Sequence, residues 1–324
     1  MRQSNGVSYP DAVGYAFDVV LFQANGVDRM MIEMSTGNDI LATFMQDAFD
    51  GDVYVDAREY VTSIMAGAVS VGVDYTQSMP SGLSVRIFYN IYTQTGGNAF
   101  VKVVDGAYTD FVWGALERGE SMEDARRLTW WRGYPFCVDY LSSGAAVTLS
   151  GGGITQTETL PVGMARIPLY GFSAAKVVTF AHDGVTDIID IKDCGEGAYL
   201  RWIDRQGRMC HWLFAKGDVT DEVTDDGEWQ RNNLLTHDGD GWHGLDGRHG
   251  MKSRRQVLKV AAVGVDKSER RMLTDMASSP VVEVYDDGAW SAVRVAGGSW
   301  SRGKAALQDV EFDIIFDDVK LQVG

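Results

Sequence analysis

Hydrophobic and polar residues alternate most regularly over residues 199–214, whose sequence is YLRWIDRQGRMCHWLF. A period of two places successive side chains on opposite faces of a strand. The Arg-Gln-Gly tripeptide at 205–207 predicts a tight turn, so the stretch reads as two strands of a hairpin. Trp202 and Trp212 would then be cross-strand or diagonal neighbours, a contact that stabilises a hairpin by about 0.2–1 kcal/mol. We expect the rest of the chain to be organised around this hairpin.

The first third of the chain predicts antiparallel β-structure with one short helix. Residues 14–22 and 28–35 read as strands joined at Asn25-Gly26, a dipeptide that tolerates positive φ and favours a hairpin turn. A capping-box pattern predicts a helix over 57–65, and 39–49 fits a helix as well as a strand. The clearest further strands are at 52–56, 83–93 and 99–104.

Short strands separated by glycine-rich turns continue from residue 146 to the hairpin, and this spacing is typical of a sandwich or small barrel. The last seventy residues predict four more strands and a helix over 267–278. We therefore expect a mainly β chain of several antiparallel β-sandwich or small-barrel modules with a few short helices. We place an N-terminal β domain at 1–110, an aromatic connecting segment at 111–145 and C-terminal β-rich domains at 146–324.

One segment, 215–253, breaks this pattern because it is polar, acidic and rich in glycine. A loop this long inside a compact domain is usually functional or disordered. We interpret it as a long polar loop that reaches a neighbouring subunit and orders only on assembly. Its deletion is then expected to leave a folded monomer that no longer oligomerises.

The composition of the chain limits the kinds of molecule that it is expected to bind. The 324 residues carry a formal net charge of −16, which disfavours nucleic acid and anionic lipid, since both attract basic surfaces. No apolar run reaches the roughly 18 residues that span a bilayer, and the N-terminal residues lack the apolar run of a signal peptide. Cys137, Cys194 and Cys210 form no CxxC pair, so we expect buried thiols and a reducing cytoplasm rather than disulfides or a zinc site.

Aromatic residues supply the candidate interaction site. Trp130, Trp131 and Tyr134 cluster within five positions, and Trp229 and Trp242 lie in the polar segment. Exposed aromatic rings would form a platform on which sugars or bases stack, whereas aromatic crowding between modules is also typical of a hydrophobic core. Both interpretations stay open at this stage.

The polar segment also contains a weak candidate metal site. His237, His243 and His249 recur every six residues, with Asp238 and Asp240 between the first two. Imidazole and carboxylate groups bind transition metals, but this spacing fits neither one face of a helix nor a zinc finger. The calcium-loop pattern fails as well, because His249 stands where its bidentate glutamate belongs. The alternatives are a solvated loop and a metal or subunit-bridging site; we expect no cofactor.

No sequence motif identifies a reaction. The nucleophile-elbow, dinucleotide-binding and phosphate-loop patterns do not occur. Asp183, Asp187 and Asp190 fit an ion-paired strand face as well as they fit the two carboxylates of a glycosidase. We expect a protein that is not an enzyme, with a β-rich hydrolase as the remaining alternative.

Three stretches resemble tail-associated structural proteins of tailed bacteriophages and prophages, notably those of gut Bacteroidetes. The first is KSERRMLTDMASSPVVEVYDDGAWSAVRVAGGSW with the closing strand ALQDVEFDIIF. The second is the 199–214 hairpin, which is similar to a recurring RW-N/D-x-x-G-x-x-x-W-x-F pattern, with Asp204 where Asn is common and Gln206 in place of a Gly. The third is DVYVDAREYV, a strand followed by Asp and a short helix.

The resemblance implies a non-enzymatic virion protein, a distal-tail or baseplate component that forms a ring or tube through edge-strand and loop contacts. Its partners would be copies of itself, neighbouring tail proteins and a host-surface glycan, without nucleic acid or membrane insertion. It would be assembled in the host cytoplasm and reside in the virion tail. The alternative that the residues leave open is a carbohydrate-binding or adhesin β-sandwich that uses exposed aromatic residues.

Overall fold

A computed structural model gives the fold of the chain, of which 57% lies in β-strands. It describes residues 1–70, 72–116, 125–193, 195–225, 228–230, 236–238, 241–243, 247–249, 251–300, 303, 305–316 and 319–323. The chain divides into two compact units. The first contains Met1–Cys194 with Ile203–His211, and the second contains Gly195–Trp202 with Trp212–Gly324.

The first unit begins with a β-sandwich and one helix. Its elements in chain order are β1 (Arg2–Ser4), β2 (Val7–Tyr9), β3 (Val13–Tyr15), β4 (Leu21–Asn25), β5 (Arg29–Ser35), β6 (Ile40–Asp47), β7 (Asp52–Asp56), α1 (Arg58–Ala66), β8 (Met79–Pro80), β9 (Ser84–Gln94) and β10 (Val101–Val112). One sheet has the order β1-β2-β4-β7 and the other the order β3-β10-β9-β5-β6. Neighbouring strands are antiparallel except β3 and β10, which run parallel.

Period-two alternation builds the core of this sandwich. In β9, Ile87, Tyr89 and Ile91 are buried while the residues between them are half-buried. Helix α1 adds Val61 and Met65 to the same core. Burial of each large apolar side chain contributes about 1.5–3 kcal/mol, so these alternating positions fix which face of each strand turns inward.

A second sandwich with its own core completes the first unit. Its elements are β11 (Arg127–Trp131), β12 (Cys137–Ser142), β13 (Ala146–Gly151), β14 (Ile154–Thr159), β15 (Gly163–Pro168), a 3₁₀ turn (Tyr170–Phe172), β16 (Val177–His182) and β17 (Val185–Lys192). One sheet has the order β11-β17-β16-β13-β14, and β8 joins the other as β12-β15-β8. The residues expected in an aromatic connecting segment therefore supply β11 and β12 of this sandwich.

The second unit is a β-barrel with an extension. Its elements are β18 (Ala198–Ile203), β19 (Met209–Asp225), β20 (Glu228–Gln230), β21 (Thr236–Asp238), β22 (Gly241–His243), β23 (Gly247–His249), β24 (Met251–Val265), α2 (Lys267–Asp275), a 3₁₀ turn (Met276–Ser278), β25 (Val282–Asp286), β26 (Ala289–Val295), β27 (Gln308–Ile315) and β28 (Val319–Val323). The order β19-β18-β25-β26-β27-β24, closed by pairing of β24 with β19, makes a six-stranded antiparallel barrel. β28 adds to β24 outside the ring.

The predicted fold class is confirmed, and so are most strands and both helices. The expected hairpin between 14–22 and 28–35 is wrong. β4 pairs with β2 and β7 in one sheet, whereas β5 pairs with β6 and β9 in the other. The amide of Gly26 donates to the carbonyl oxygen of Gly51 at 2.8 Å, so the turn at this glycine serves the pairing with β7 instead.

The expectation of a long polar loop at 215–253 is also wrong over much of its length. β19 continues to Asp225 and pairs with β24 from Ala215↔Ala261 to Asp225↔Lys252. Further on, β20 pairs with β23 and β21 with β22. This antiparallel extension, residues 215–225 with 251–261 and the strands between them, is called the ribbon below. Its first strand reads as a loop because residues 215–224 are exposed except for half-buried Glu222, so no buried face requires alternating apolar residues there.

Candidate interaction surfaces

The aromatic cluster predicted as a platform lies largely inside the second sandwich. The side chains of Trp130 and Trp131 are only 5% and 8% exposed. The Trp130 indole N–H donates to the carbonyl oxygen of Tyr134 at 2.8 Å, and its ring stacks on Phe136 with centroids 6.1 Å apart. Tyr134 is half-buried. These contacts are those of core residues, the alternative that the sequence left open.

The remaining predicted site residues lie in the ribbon. Trp229 falls in β20 and Trp242 in β22, while His237, Asp238, His243 and His249 fall in β21, β22 and β23. Their side chains and Asp240 lie outside the described residues. Among the residues that are described, no group of three or more His, Cys, Asp or Glu is arranged to hold a metal ion. The metal and subunit-bridging hypothesis therefore stays a prediction.

The sequence analysis missed the open edge of the first sandwich. β6 is eight residues long and is the last strand of its sheet, and within the described residues it pairs only with β5 over its length. Phe44 turns into the core, and Met45 lies on the other face opposite Met31 of β5. One side of this strand therefore presents unpaired backbone N–H and C=O groups, a template for another strand.

Large apolar side chains are exposed along this edge. Ile40, Leu41 and Met45 project from β6, and Phe49 follows it with 87% of its side chain exposed. The backbone of Phe49 pairs with that of Asp52 across a two-residue turn, which places Phe49 directly after the strand. These four residues together with the strand are called the β6 edge below. The signal in the sequence was the run Ile-Leu-Ala-Thr-Phe-Met, which contains no lysine or proline that would blunt an edge.

A second open edge lies on the ribbon. β18 is only six residues long, so it reaches β19 no further than about Phe214, and Gly197 lies against the Phe214 carbonyl oxygen. From Ala215 onward, the described partner of β19 is β24 alone. Residues 215–224 are exposed except for half-buried Glu222, and Val219 and Val223 present their side chains to solvent. We call residues 218–225 of β19 the ribbon edge.

Ion pairs across the ribbon neutralise acidic groups beside this edge. Arg254 pairs with Asp221, and Arg255 pairs with Glu222 at 2.6 Å. The hydrogen bond from Arg254 holds the pKa of Asp221 below its ordinary value. Both pairs are well exposed, so they position the side chains and contribute little stability.

The second unit also contains a groove of about 520 Å³ on its barrel. Small side chains leave space for the groove. They belong to Ala215 and Gly217 of β19, Ala261 of β24, and Gly297 and Gly298 of the loop that follows β26. Trp300 bounds the groove, and its indole N–H donates to the Glu311 carbonyl oxygen at 2.9 Å. Trp300 packs closely over Gly298 and lies 5.1 Å from the Phe312 ring. The indole ring of Trp300 therefore forms part of the groove wall.

The buried charged groups of the first unit are arranged as structural connections. Asp139 and Arg166 form a bidentate pair between β12 and β15, and Arg126 binds Asp187 of β17 through its backbone N–H and its guanidinium group. His182 Nε2 lies 3.6 Å from Asp187 Oδ2.

Of the three aspartates predicted as a possible strand face, Asp187 and Asp190 are ion-paired, but they lie on opposite faces of β17. Asp183 precedes the strand and accepts a hydrogen bond from the Ser143 hydroxyl group.

No protein-family model and no curated protein matches this chain. None of the helices in the described part of the chain has the length and apolar character needed to cross a membrane.

Proposed function

We propose that this chain is a virion structural protein, a tail or baseplate component of a tailed bacteriophage, that assembles with copies of itself through strand edges. The observation that carries the proposal is the β6 edge. It combines an open eight-residue strand with four exposed large apolar side chains, Ile40, Leu41, Met45 and Phe49.

The physical argument concerns how proteins protect strand edges. Monomeric proteins blunt them with lysine, proline, bulges or covering segments because an open edge pairs with other chains. β6 contains neither lysine nor proline, and its single charge, Asp47, is paired with Arg29. Its one irregularity in the pairing with β5 lies near its start, at Leu41, so the rest of the edge is regular. Such an edge is protected when a strand of another chain covers it, and a permanent assembly provides that cover.

The remaining support comes from the resemblance and from charge. The hairpin of 199–214 and the helix-to-strand pattern after residue 267 resemble those of phage tail proteins. The first stretch forms β18 and β19, and the second forms α2, β25 and β26. A net charge of −16 keeps the unassembled chain soluble at the high concentration that assembly requires.

The experiment places a charge on the β6 edge. Met45→Lys and Leu41→Lys should each leave the fold intact, because both side chains are exposed, and should shift the mass measured by light scattering toward the monomer. Ile154→Lys is the matched control, since Ile154 is an exposed aliphatic residue of another edge strand, β14. An oligomer of unchanged mass in both β6 variants would refute the proposed role of this edge.

A further inference from the structure

We propose that the groove on the barrel binds a neutral saccharide, which packs against the indole ring of Trp300. The groove is lined by residues 215–218, 259–261, 296–300 and 311–313, all of which belong to the second unit. None of them belongs to the β6 edge, so this inference is independent of the proposed assembly. The volume of the groove, about 520 Å³, lies within the range of roughly 300–1,000 Å³ that is usual for small-ligand sites.

The floor of the groove is the outer face of the barrel at a place where the side chains are small. Ala261 alternates with buried neighbours in β24, so its side chain points away from the barrel core. Its partner in β19 is Ala215, which is exposed. At Gly217 an added Cβ would lie 3.1 Å from the Cβ atom of Lys259. Larger side chains would fill this surface, so the small residues leave an apolar base on which a ligand can lie.

Trp300 supplies an aromatic wall that is already held in position. The loop that carries it is attached to β27 at Ala296, whose N–H donates to the Asp313 carbonyl oxygen at 2.8 Å. Further along the loop, the indole N–H of Trp300 donates to the Glu311 carbonyl oxygen at 2.9 Å. Because these bonds order the side chain in advance, binding costs less conformational entropy. Trp300 is half-buried, so the rest of its surface is available to the apolar C–H face of a sugar ring.

Charged residues of both signs line the same groove. Lys216 and Lys259 carry ammonium groups, and Asp218, Glu311 and Asp313 carry carboxylates. Among the described residues, none of these five side chains has a hydrogen-bond or ion-pair partner. The acidic residues of the ribbon, in contrast, are paired with arginines. The charged groups of the groove are therefore available to a ligand.

This mixture of charges favours a neutral ligand that is rich in hydroxyl groups. An ammonium group only donates hydrogen bonds and a carboxylate only accepts them, whereas a hydroxyl group does both. Three carboxylates would repel a sulfate or phosphate group. In the described part of the chain no acidic cluster is arranged to hold a metal ion. A neutral saccharide offers hydroxyl groups to both kinds of side chain and a C–H face to Trp300.

Saturation-transfer NMR on the full-length protein tests the inference. The probes are the neutral disaccharides maltose, cellobiose, lactose and N,N′-diacetylchitobiose, and sucrose octasulfate is the anionic comparison. We expect saturation transfer to at least one neutral probe, with a dissociation constant in the millimolar range or below, and none to the sulfated probe. The inference is overturned if no neutral probe binds, or if the sulfated probe alone binds.

Two substitutions test whether binding occurs in the groove. Ala215→Tyr fills the floor from an exposed strand position, and Trp300→Ala removes the aromatic wall. Each should weaken the binding of the neutral probe by about tenfold or more. Ala292→Tyr is the matched control, because Ala292 is an exposed alanine of β26 in the same barrel and lies outside the groove. It should bind the probe as wild type does.

Melting temperatures establish that each variant is folded. Trp300→Ala also removes packing against Phe312, so Ala215→Tyr decides the result if that variant does not fold. Unchanged binding by Ala215→Tyr would overturn the assignment to this groove. Light scattering of the same variants separates the two proposals, since loss of saccharide binding should leave the oligomer mass unchanged.

Discussion

Asp139 and Arg166 face each other across β12 and β15, joined by hydrogen bonds of 2.6 and 2.7 Å between fully buried side chains. Asp139 also accepts the Met209 N–H at 2.8 Å, and Arg166 donates to the carbonyl oxygen of Gly72 at 3.1 Å. The attraction of Asp139 outweighs burial and raises the pKa of Arg166. One ion pair thus ties two strands of the second sandwich to the turn of the 199–214 hairpin and to the segment before β8.

Removal of one partner of this pair is expected to destabilise the first unit strongly. Arg166→Met leaves the Asp139 carboxylate buried without its counter-ion, a change that costs about 3–5 kcal/mol. Urea unfolding followed by tryptophan fluorescence measures the loss, since Trp130 and Trp131 lie in the same sandwich.

An exposed ion pair supplies the control. Arg127 pairs with Asp190 between β11 and β17, and its side chain is 72% exposed. Arg127→Met should cost less than about 1 kcal/mol because water screens the pair. Equal costs for the two variants would contradict the structural role assigned to Asp139 and Arg166.

The surroundings of Asp187 are expected to make the stability of the fold depend on pH. Burial alone would raise the pKa of its carboxyl group, but the His182 ring and the charge and hydrogen bonds of Arg126 lower it below the ordinary value. A depressed folded-state pKa stabilises the fold above the unfolded pKa, about 3.9, and the stabilisation is lost as pH falls through the folded value.

The measurement compares melting temperatures of wild type and Asp187→Asn from pH 7 to pH 2. Wild type should be the more stable protein at neutral pH, and its advantage should shrink as the pH falls below about 4. A difference that stays constant over this range would show that the Asp187 charge contributes nothing to the pH dependence.

Gly207 occupies a position that admits no side chain. Its φ is +77°, and an added Cβ would lie 2.7 Å from Val112 Cγ1 and 2.8 Å from the Trp113 carbonyl oxygen. Gly288 has a similar φ of +83° with open space around it. Gly288→Ala should cost about 1–2 kcal/mol from its backbone conformation, and Gly207→Ala should cost about 1–3 kcal/mol more from overpacking. Equal losses of melting temperature would exclude the close contact.

Shortening the ribbon is expected to leave both folding and oligomerisation intact. Replacement of residues 226–251 by Asn-Gly joins Asp225 to Lys252, which are paired in β19 and β24, through a tight hairpin turn. Barrel closure and the β6 edge are retained, so the variant should fold and still oligomerise. A folded monomer would show instead that the removed part of the ribbon makes the contact between subunits, as an arm that orders on assembly would.

The sequence predicts which face of a strand is buried, but it does not predict which strands pair with each other. In β27, Val310, Phe312 and Ile314 are buried as the alternation indicates. Burial of one face of a strand makes every second residue apolar, and the sequence shows this period directly. Pairing depends on residues far apart in the chain, so Asn25-Gly26 gave a local hairpin signal that the sandwich overrides. Trp130 and Trp131 are adjacent and both buried, a combination that alternation along one strand does not indicate.

The mass of the wild-type protein in solution shows whether the chain assembles. Light scattering is measured over a concentration series, starting from a monomer mass of 35.6 kDa. We expect a discrete species larger than a dimer, or a rise toward one with concentration. A strictly monomeric protein at the highest concentration would contradict assembly through the β6 edge.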